Sequence, residues 1–199
     1  MQALIVSAYP GCGKTHYVSH NPPFYCEDSD SSFYSWIYDG MIKTDRRNPA
    51  FPENYIDHIK SLMYKRDVIF VSSHKVVRDA LYEKEIPHVI LYPCREAKDE
   101  WMRRFKKRGS TDEFIKFQNE HWDEFIDEIE STKSDNIRHI IRLYEKPILS
   151  GLLDYKIRPY ISTSVINYAS THLFDIGIDT YPYFKTYYPE LYKSVRINL

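Results

Sequence analysis

The sequence predicts an α/β fold in which helices cover both faces of a five-stranded parallel sheet. Two observations lead to this class. Short apolar runs rich in β-branched residues alternate along the chain with amphipathic segments of helical period. The first apolar run leads directly into a glycine-containing turn, as strands of such sheets often do. Because strands that alternate with helices are joined by right-handed crossovers, we expect three layers, α/β/α.

The elements are predicted in chain order from these periodicities. The predicted strands span residues 3–6, 23–27, 68–72, 89–92 and 137–143. The predicted helices span residues 14–19, 53–64, 75–84, 96–107 and 112–129. Ligands bind such sheets outside the carboxyl ends of the strands, so the residues directly after strands are the candidates for chemistry.

Composition narrows the class of protein. A chain of 199 residues with a formal net charge of −1 is about one domain, and it has no overall basic field for nucleic acid. No apolar run approaches the length that spans a membrane. The three cysteines have unrelated spacings, which argues against a disulfide framework or zinc site and favours the reducing cytoplasm. Cys12 lies inside the first turn, where it is either an oxidation-sensitive thiol or simply a small loop residue.

The first strand and the turn after it, ALIVSAYPGCGKT, have the order of a phosphate-binding loop. Gly11 and Gly13 allow the backbone to curl so that amide N–H groups face phosphate oxygens. Lys14 supplies charge for the outer phosphates, Thr15 can ligate Mg²⁺, and a helix N-terminus follows. The usual motif has glycine where this chain has Ala8, and the alternative is an ordinary turn with an exposed lysine. The predicted nucleotide-binding residues are Pro10, Gly11, Cys12, Gly13, Lys14, Thr15 and His16.

Acidic residues follow the second strand in the run EDSDSS. Asp28 can hold Mg²⁺ through its water shell, and Asp30 can engage the group that is phosphorylated. The alternative is a solvated turn in which Asp30 or Ser31 caps the next helix.

The third strand ends in VSSHKVVRDAL, without the aspartate that commonly follows this strand in phosphate-loop proteins. Ser72 and Ser73 stand there instead, so Mg²⁺ has to rely on Thr15 and Asp28. Arg78 is expected to face back toward the ligand crevice as a catalytic cation. His74 either contacts substrate or caps the following helix.

The fourth helix carries a basic run, EWMRRFKKRG. Arg104 and Arg108 are four residues apart and share one face, so they can neutralise charge during phosphoryl transfer. With Gly109 and Ser110 as a hinge, residues 96–130 are interpreted as a closing lid. The alternative is a solvated charged face.

Residues 33–64, between the second and third strands, form a candidate acceptor-binding insertion. Its aromatic rings can stack on a base, and adjacent arginines can bind a monophosphate, although the same rings can also be core. The residues in question are Trp36, Tyr38, Arg46, Arg47, Phe51 and Tyr55.

Taken together, these motifs resemble the P-loop small-molecule kinases, which include nucleoside monophosphate, shikimate and gluconate kinases. AYPGCGKT resembles their phosphate loop, EDSD their Asp-x-Asp, and EWMRRFKKRG their arginine-bearing lid helix. VSSHKVVRDAL is similar to a gluconate-kinase segment, and Lys146 with Pro147 falls where the family has its adenine loop. NPAFPENYIDHIK resembles phage-encoded (deoxy)nucleoside monophosphate kinase-like proteins.

The resemblance covers about residues 2–153 and implies a P-loop NTPase fold with strand order 2-3-1-4-5. It also implies ATP and Mg²⁺ as donor and cofactor, and a small phosphate acceptor, with a (deoxy)nucleoside monophosphate favoured. A sugar acid, a polyol or a polynucleotide 5′ end is the alternative acceptor, and a nucleotide-binding regulatory module is the alternative of another class. The expected domain spans residues 1–154, and residues 155–199 are expected to be an aromatic-rich extension packing on it.

Overall fold

The computed structural model describes residues 3–19 and 25–132, together with the backbone of residues 137–143. The chain divides into two units, Met1–Ser150 and Gly151–Leu199, and all described residues belong to the first. The expected extension at residues 155–199 and the expected adenine loop at Lys146 and Pro147 lie outside the described residues.

A central sheet of parallel strands carries the fold, which confirms the α/β class. In chain order the elements are β1 (Leu4–Ala8), α1 (Lys14–Ser19), β2 (Cys26–Asp28), α2 (Ser32–Ser35), β3 (Trp36–Asp39), β4 (Ile42–Arg47), α3 (Glu53–Leu62), β5 (Val68–Ser72), α4 (Lys75–Glu83), β6 (His88–Pro93), α5 (Lys98–Lys107), α6 (Asp112–Glu120), α7 (Trp122–Glu130) and β7 (Ile137–Leu143). The strands lie in the order β2-β5-β1-β6-β7, and each neighbouring pair is parallel. Because β5 lies between β1 and β2, the segments that follow these three strands meet at one sheet edge.

Apolar packing on both faces of the sheet explains why these runs form buried strands. On one face, Ile5, Ile69 and Val71 pack with apolar residues of α3 and α4 in a continuous cluster. Side chains alternate between faces along a strand, so Phe70 points the other way, where its ring lies 5.7 Å from that of Tyr17 on α1. No helix in the described part of the chain is long and apolar enough to cross a membrane.

The structure corrects one sequence prediction of local structure and adds an element that was not predicted. The helix predicted over residues 112–129 is two helices, α6 and α7, which meet at His121. The break allows the buried Trp122 to donate its indole N–H to the main-chain oxygen of Arg95 at 2.9 Å. In the insertion, the antiparallel hairpin β3–β4 precedes the predicted helix, and it turns at Gly40, whose φ is +60°.

Candidate functional site

The loop between β1 and α1 has the conformation that a phosphate cradle needs. Gly11 and Gly13 have φ values of +82° and +89°, a left-handed region that side chains disfavour. Ala8, in place of the usual glycine, is the last residue of β1 and fully buried, so its methyl group is accommodated. Its main-chain oxygen accepts a hydrogen bond from Lys14 Nζ at 3.1 Å. His16 lies exposed on α1 beyond the loop.

Two aromatic rings of α5 support this loop from behind. The Trp101 indole N–H donates to the main-chain oxygen of Pro10 at 3.0 Å. A Cβ atom built on Gly11 would lie 2.9 Å from Phe105 Cε1 and 3.1 Å from Trp101 Nε1. Both rings are fully buried. This supporting role was not predicted from the sequence. The feature that indicates it is the four-residue spacing of Trp101 and Phe105 within a basic run.

The two residues predicted to hold Mg²⁺ lie together. Thr15 Oγ1 donates to Asp28 Oδ2 at 2.5 Å, although the residues come from α1 and from the end of β2. A hydroxyl and a carboxylate are hard oxygen ligands of the kind that Mg²⁺ prefers. Across the described residues there is no group of three or more His, Cys, Asp or Glu side chains that could hold a metal by themselves. Thr15 and Asp28 would supply only part of the oxygen ligands that Mg²⁺ needs at this place.

Cys12 faces away from the crevice and into the core. Its thiol is fully buried, with Sγ 3.8 Å from the main-chain oxygen of Leu91. Burial raises the pKa of the Cys12 thiol to about 12, although the nearby cations Lys14 and Arg104 lower it. Of the two interpretations of this cysteine, the structure favours the small loop residue.

Asp30 serves the helix that follows it. Its Oδ1 accepts the main-chain N–H of Ser32 at 2.8 Å, while Ser31, at the N-cap position of α2, makes no side-chain capping bond. Asp30 is nevertheless exposed at the sheet edge, so its contact with an acceptor stays a prediction.

Tyr55 is structural, which corrects one aromatic candidate for base stacking. Its ring is fully buried, so no base can reach it. The hydroxyl donates to the main-chain oxygen of Ser29 at 2.7 Å and accepts the main-chain N–H of Ser72 at 3.3 Å. Tyr55 therefore ties the segment after β2 to the end of β5. Phe51 packs against the same apolar cluster and is partly buried.

Arg78 is more enclosed than the sequence suggested. Its side chain is 3% exposed, donates to the main-chain oxygen of Ser73 at 2.5 Å, and forms an ion pair with Glu128 of α7. Its Nε atom is buried without a hydrogen-bond partner in the part of the chain that the structure describes. The Arg78 guanidinium thus stabilises the main chain directly after β5. A direct contact between Arg78 and substrate stays a prediction.

The two arginines predicted for the lid have different surroundings. Arg104 lies near the loop, donates to Glu100 at 2.8 Å and stacks 4.3 Å over the Trp101 ring. Its Nη1 is buried and has no hydrogen-bond partner among the described residues. Arg108 instead donates to Ser110 Oγ at 2.7 Å and lies 4.8 Å from the Phe105 ring.

The packing of α5 differs from that of a mobile lid hinged at Gly109 and Ser110. If α5 swung away, Trp101 and Phe105 would leave the loop and expose two large rings to water. Burial of such side chains is worth roughly 1.5–3 kcal/mol each, so the motion would be costly. The interpretation of residues 96–130 as a lid stays a prediction, and this contact opposes it for α5.

The hairpin β3–β4 is exposed and basic. Arg46 and Arg47 are neighbours in β4, so their side chains leave opposite faces of the ribbon and do not form the predicted pair. The Arg47 guanidinium lies 3.7 Å from the centre of the Trp36 ring, and Lys43 Nζ lies 4.2 Å from it. Trp36 thus already has cationic partners, and Tyr38 stacks with Phe33.

The chain was compared with protein-family models and with curated proteins. It matches no family model and no curated protein.

Proposed function

We propose that this chain is a P-loop kinase that transfers a phosphoryl group from ATP to a small acceptor, with a (deoxy)nucleoside monophosphate favoured. One observation carries the proposal. The Thr15 hydroxyl, beside Lys14 in a loop with two left-handed glycines, lies 2.5 Å from the Asp28 carboxylate at the sheet edge. A bound Mg²⁺ would neutralise the donor phosphates at this place.

The described residues divide the work as follows. Loop N–H groups and Lys14 hold the donor phosphates, and the unpartnered Nη1 of Arg104 supplies a cationic donor beside the loop. Asp30 engages the acceptor from the segment after β2. Arg78 stabilises the charge of the transferred group while it keeps its bonds to Ser73 and Glu128. Arg108 has to break its hydrogen bond to Ser110 before it can contact the phosphates.

The test is ATP turnover by purified protein, followed as ADP release with each candidate acceptor. Replacing Lys14 by alanine should lower kcat by about 10²–10³-fold, the usual cost of removing one preorganised donor to a charged transition state. Lys75→Ala is the matched control, because Lys75 is an exposed lysine paired with Asp79 on α4. Full turnover by Lys14→Ala would refute the proposal.

The acceptor is decided by a second measurement on the same protein. Nucleoside monophosphates, sugar acids, polyols and 5′-hydroxyl oligonucleotides are each supplied with radiolabelled ATP, and labelled product is counted. A labelled monophosphate supports the favoured acceptor. A labelled sugar acid, polyol or oligonucleotide keeps the kinase chemistry and replaces the acceptor.

A nucleotide-binding regulatory module is the second candidate function. It is favoured by Ser72, which ends β5 where a carboxylate is common, and by the small number of protein ligands for a metal. A protein of this kind would bind ATP tightly, give trace hydrolysis and label no acceptor. Both candidates are proposed for the cytoplasm, and the three free cysteines are compatible with its reducing conditions.

A further inference from the structure

His74 follows β5, the strand that lies between β1 and β2 in the sheet. Ala8 at the end of β1 pairs with Ser72 at the end of β5, and Asp28 of β2 pairs with Phe70. The residues after Ser72 therefore lie between the phosphate loop and the acidic segment that follows β2. His74 takes the N-cap position of α4, yet its side chain makes no capping bond.

Ser72 orients the imidazole ring. Its Oγ accepts the main-chain N–H of His74 at 3.3 Å and lies 3.0 Å from Nδ1. When the hydroxyl donates its single hydrogen to Nδ1, the ring hydrogen of neutral His74 is on Nε2. Tyr55 holds Ser72 in turn through the main-chain N–H. In that tautomer His74 presents its Nε2–H as a donor, and Ser72 supports the other side of the ring.

The charges around His74 come from several elements. Those that act on it belong to the phosphate loop, the segment after β2, the hairpin and α4: Lys14, Asp30, Arg47 and Arg78. Desolvation lowers the pKa of His74 most, the three cations lower it further, and Asp30 raises it. A neutral donor among cations is complementary to an anionic oxygen.

We propose that His74 is a catalytic residue, which donates a hydrogen bond from Nε2 to an oxygen of the phosphoryl group during its transfer. This inference rests on the proposed kinase function and adds a residue to it. The donor occupies the strand end where this chain has no carboxylate. Its contribution is electrostatic, since a donor aimed at developing charge stabilises the transition state more than the ground state.

The experiment measures the affinity for Mg²⁺ and ADP with and without aluminium fluoride, a mimic of the phosphoryl group in transfer. In His74→Ala, the tightening caused by aluminium fluoride should fall by about 10–100-fold, the effect of one hydrogen bond to a charged group, while the Kd for ADP stays nearly unchanged. His74→Gln places an amide N–H near the position of Nε2 and should restore most of the tightening. His121→Gln is the control, because His121 lies between α6 and α7 among phenylalanine rings.

A second readout reports the positioning by Ser72. Nitrogen-15 spectra of the wild-type histidines should show His74 in the Nε2–H form, and Ser72→Ala should reduce that form. A His74 that stays in the Nδ1–H form in the wild type contradicts the assigned donor.

The outcomes separate the two proposals. If the wild type binds no ADP, the proposed function fails, and the role of His74 fails with it. If the wild type binds ADP but gains nothing from aluminium fluoride, both are contradicted as well. If His74→Ala keeps the full tightening, or loses ADP affinity to the same extent, the inference is overturned and the kinase function stands. Melting curves check that each variant folds, and His74→Gln carries the test if His74→Ala does not.

Discussion

The phosphate loop and the β3–β4 hairpin both follow carboxyl ends of the same sheet, but they are built in opposite ways. The loop rests on two fully buried rings, Trp101 and Phe105, and has no room for a Cβ atom at Gly11. In the hairpin, Met41 is 97% exposed and β4 carries cations that stack on Trp36 in solvent. The comparison indicates that the loop after β1 is held in place by packing, whereas the hairpin has few packing constraints. Substitutions should therefore cost much in the loop and little in the hairpin.

The largest loss of stability is expected for Gly11→Ala. The left-handed backbone costs about 1–2 kcal/mol for a residue with a Cβ atom, and overpacking against Phe105 and Trp101 adds about 1–3 kcal/mol. Urea denaturation should show the sum as a drop in the free energy of unfolding. Gly109→Ala is the control, since Gly109 has a φ of +80° but no atom within 4 Å of the added Cβ. Equal losses in the two variants would mean that α5 does not restrain the loop.

An intermediate loss of stability is expected for Tyr55→Phe. Tyr55 is the buried link between the segment after β2 and the end of β5. The substitution leaves the main-chain oxygen of Ser29 and the N–H of Ser72 without their partner, which costs about 1–3 kcal/mol. The free energy of unfolding measures it. Tyr64→Phe, at a tyrosine that is 79% exposed, should be neutral. An unchanged stability of Tyr55→Phe would show that the strand ends do not depend on this hydroxyl.

The smallest change is expected for Lys43→Gln in the hairpin. It removes one exposed cation from the Trp36 ring, a contact worth about 0.5–1 kcal/mol, and leaves an uncharged side chain of similar length. Lys65→Gln, at another exposed lysine, serves as the reference. A loss greater than that of Gly11→Ala would reverse the comparison between the two regions.

The parts of the site that local sequence determines were predictable. The left-handed turns at Gly11 and Gly13 depend on a few neighbouring residues, and the position of Asp28 beside Thr15 follows from its place at a strand end. Apolar runs likewise predicted the buried strands β1, β5 and β6, with ends shifted by a few residues.

The contacts that were missed join residues far apart in sequence. Trp101 reaches Pro10 across 91 positions and Arg78 reaches Glu128 across 50, and no local pattern states such a pairing. The burial of Tyr55 was not predicted for a similar reason, because a ring at helical spacing is equally compatible with packing in the core and with stacking on a base. The hairpin was missed because β4, IKTDRR, is exposed along most of its length and lacks the apolar alternation of a half-buried strand.

The inward orientation of Cys12 has a consequence for covalent chemistry. A cysteine within a phosphate loop would be an obvious target for electrophilic inhibitors, but the thiolate is the reactive form, and here neither water nor a reagent reaches the sulfur. Cys26 is the partly accessible thiol and Cys94 is buried. Alkylating reagents should therefore label Cys26 in the folded protein and leave the loop intact. A covalent ligand for this site needs an attachment residue other than Cys12.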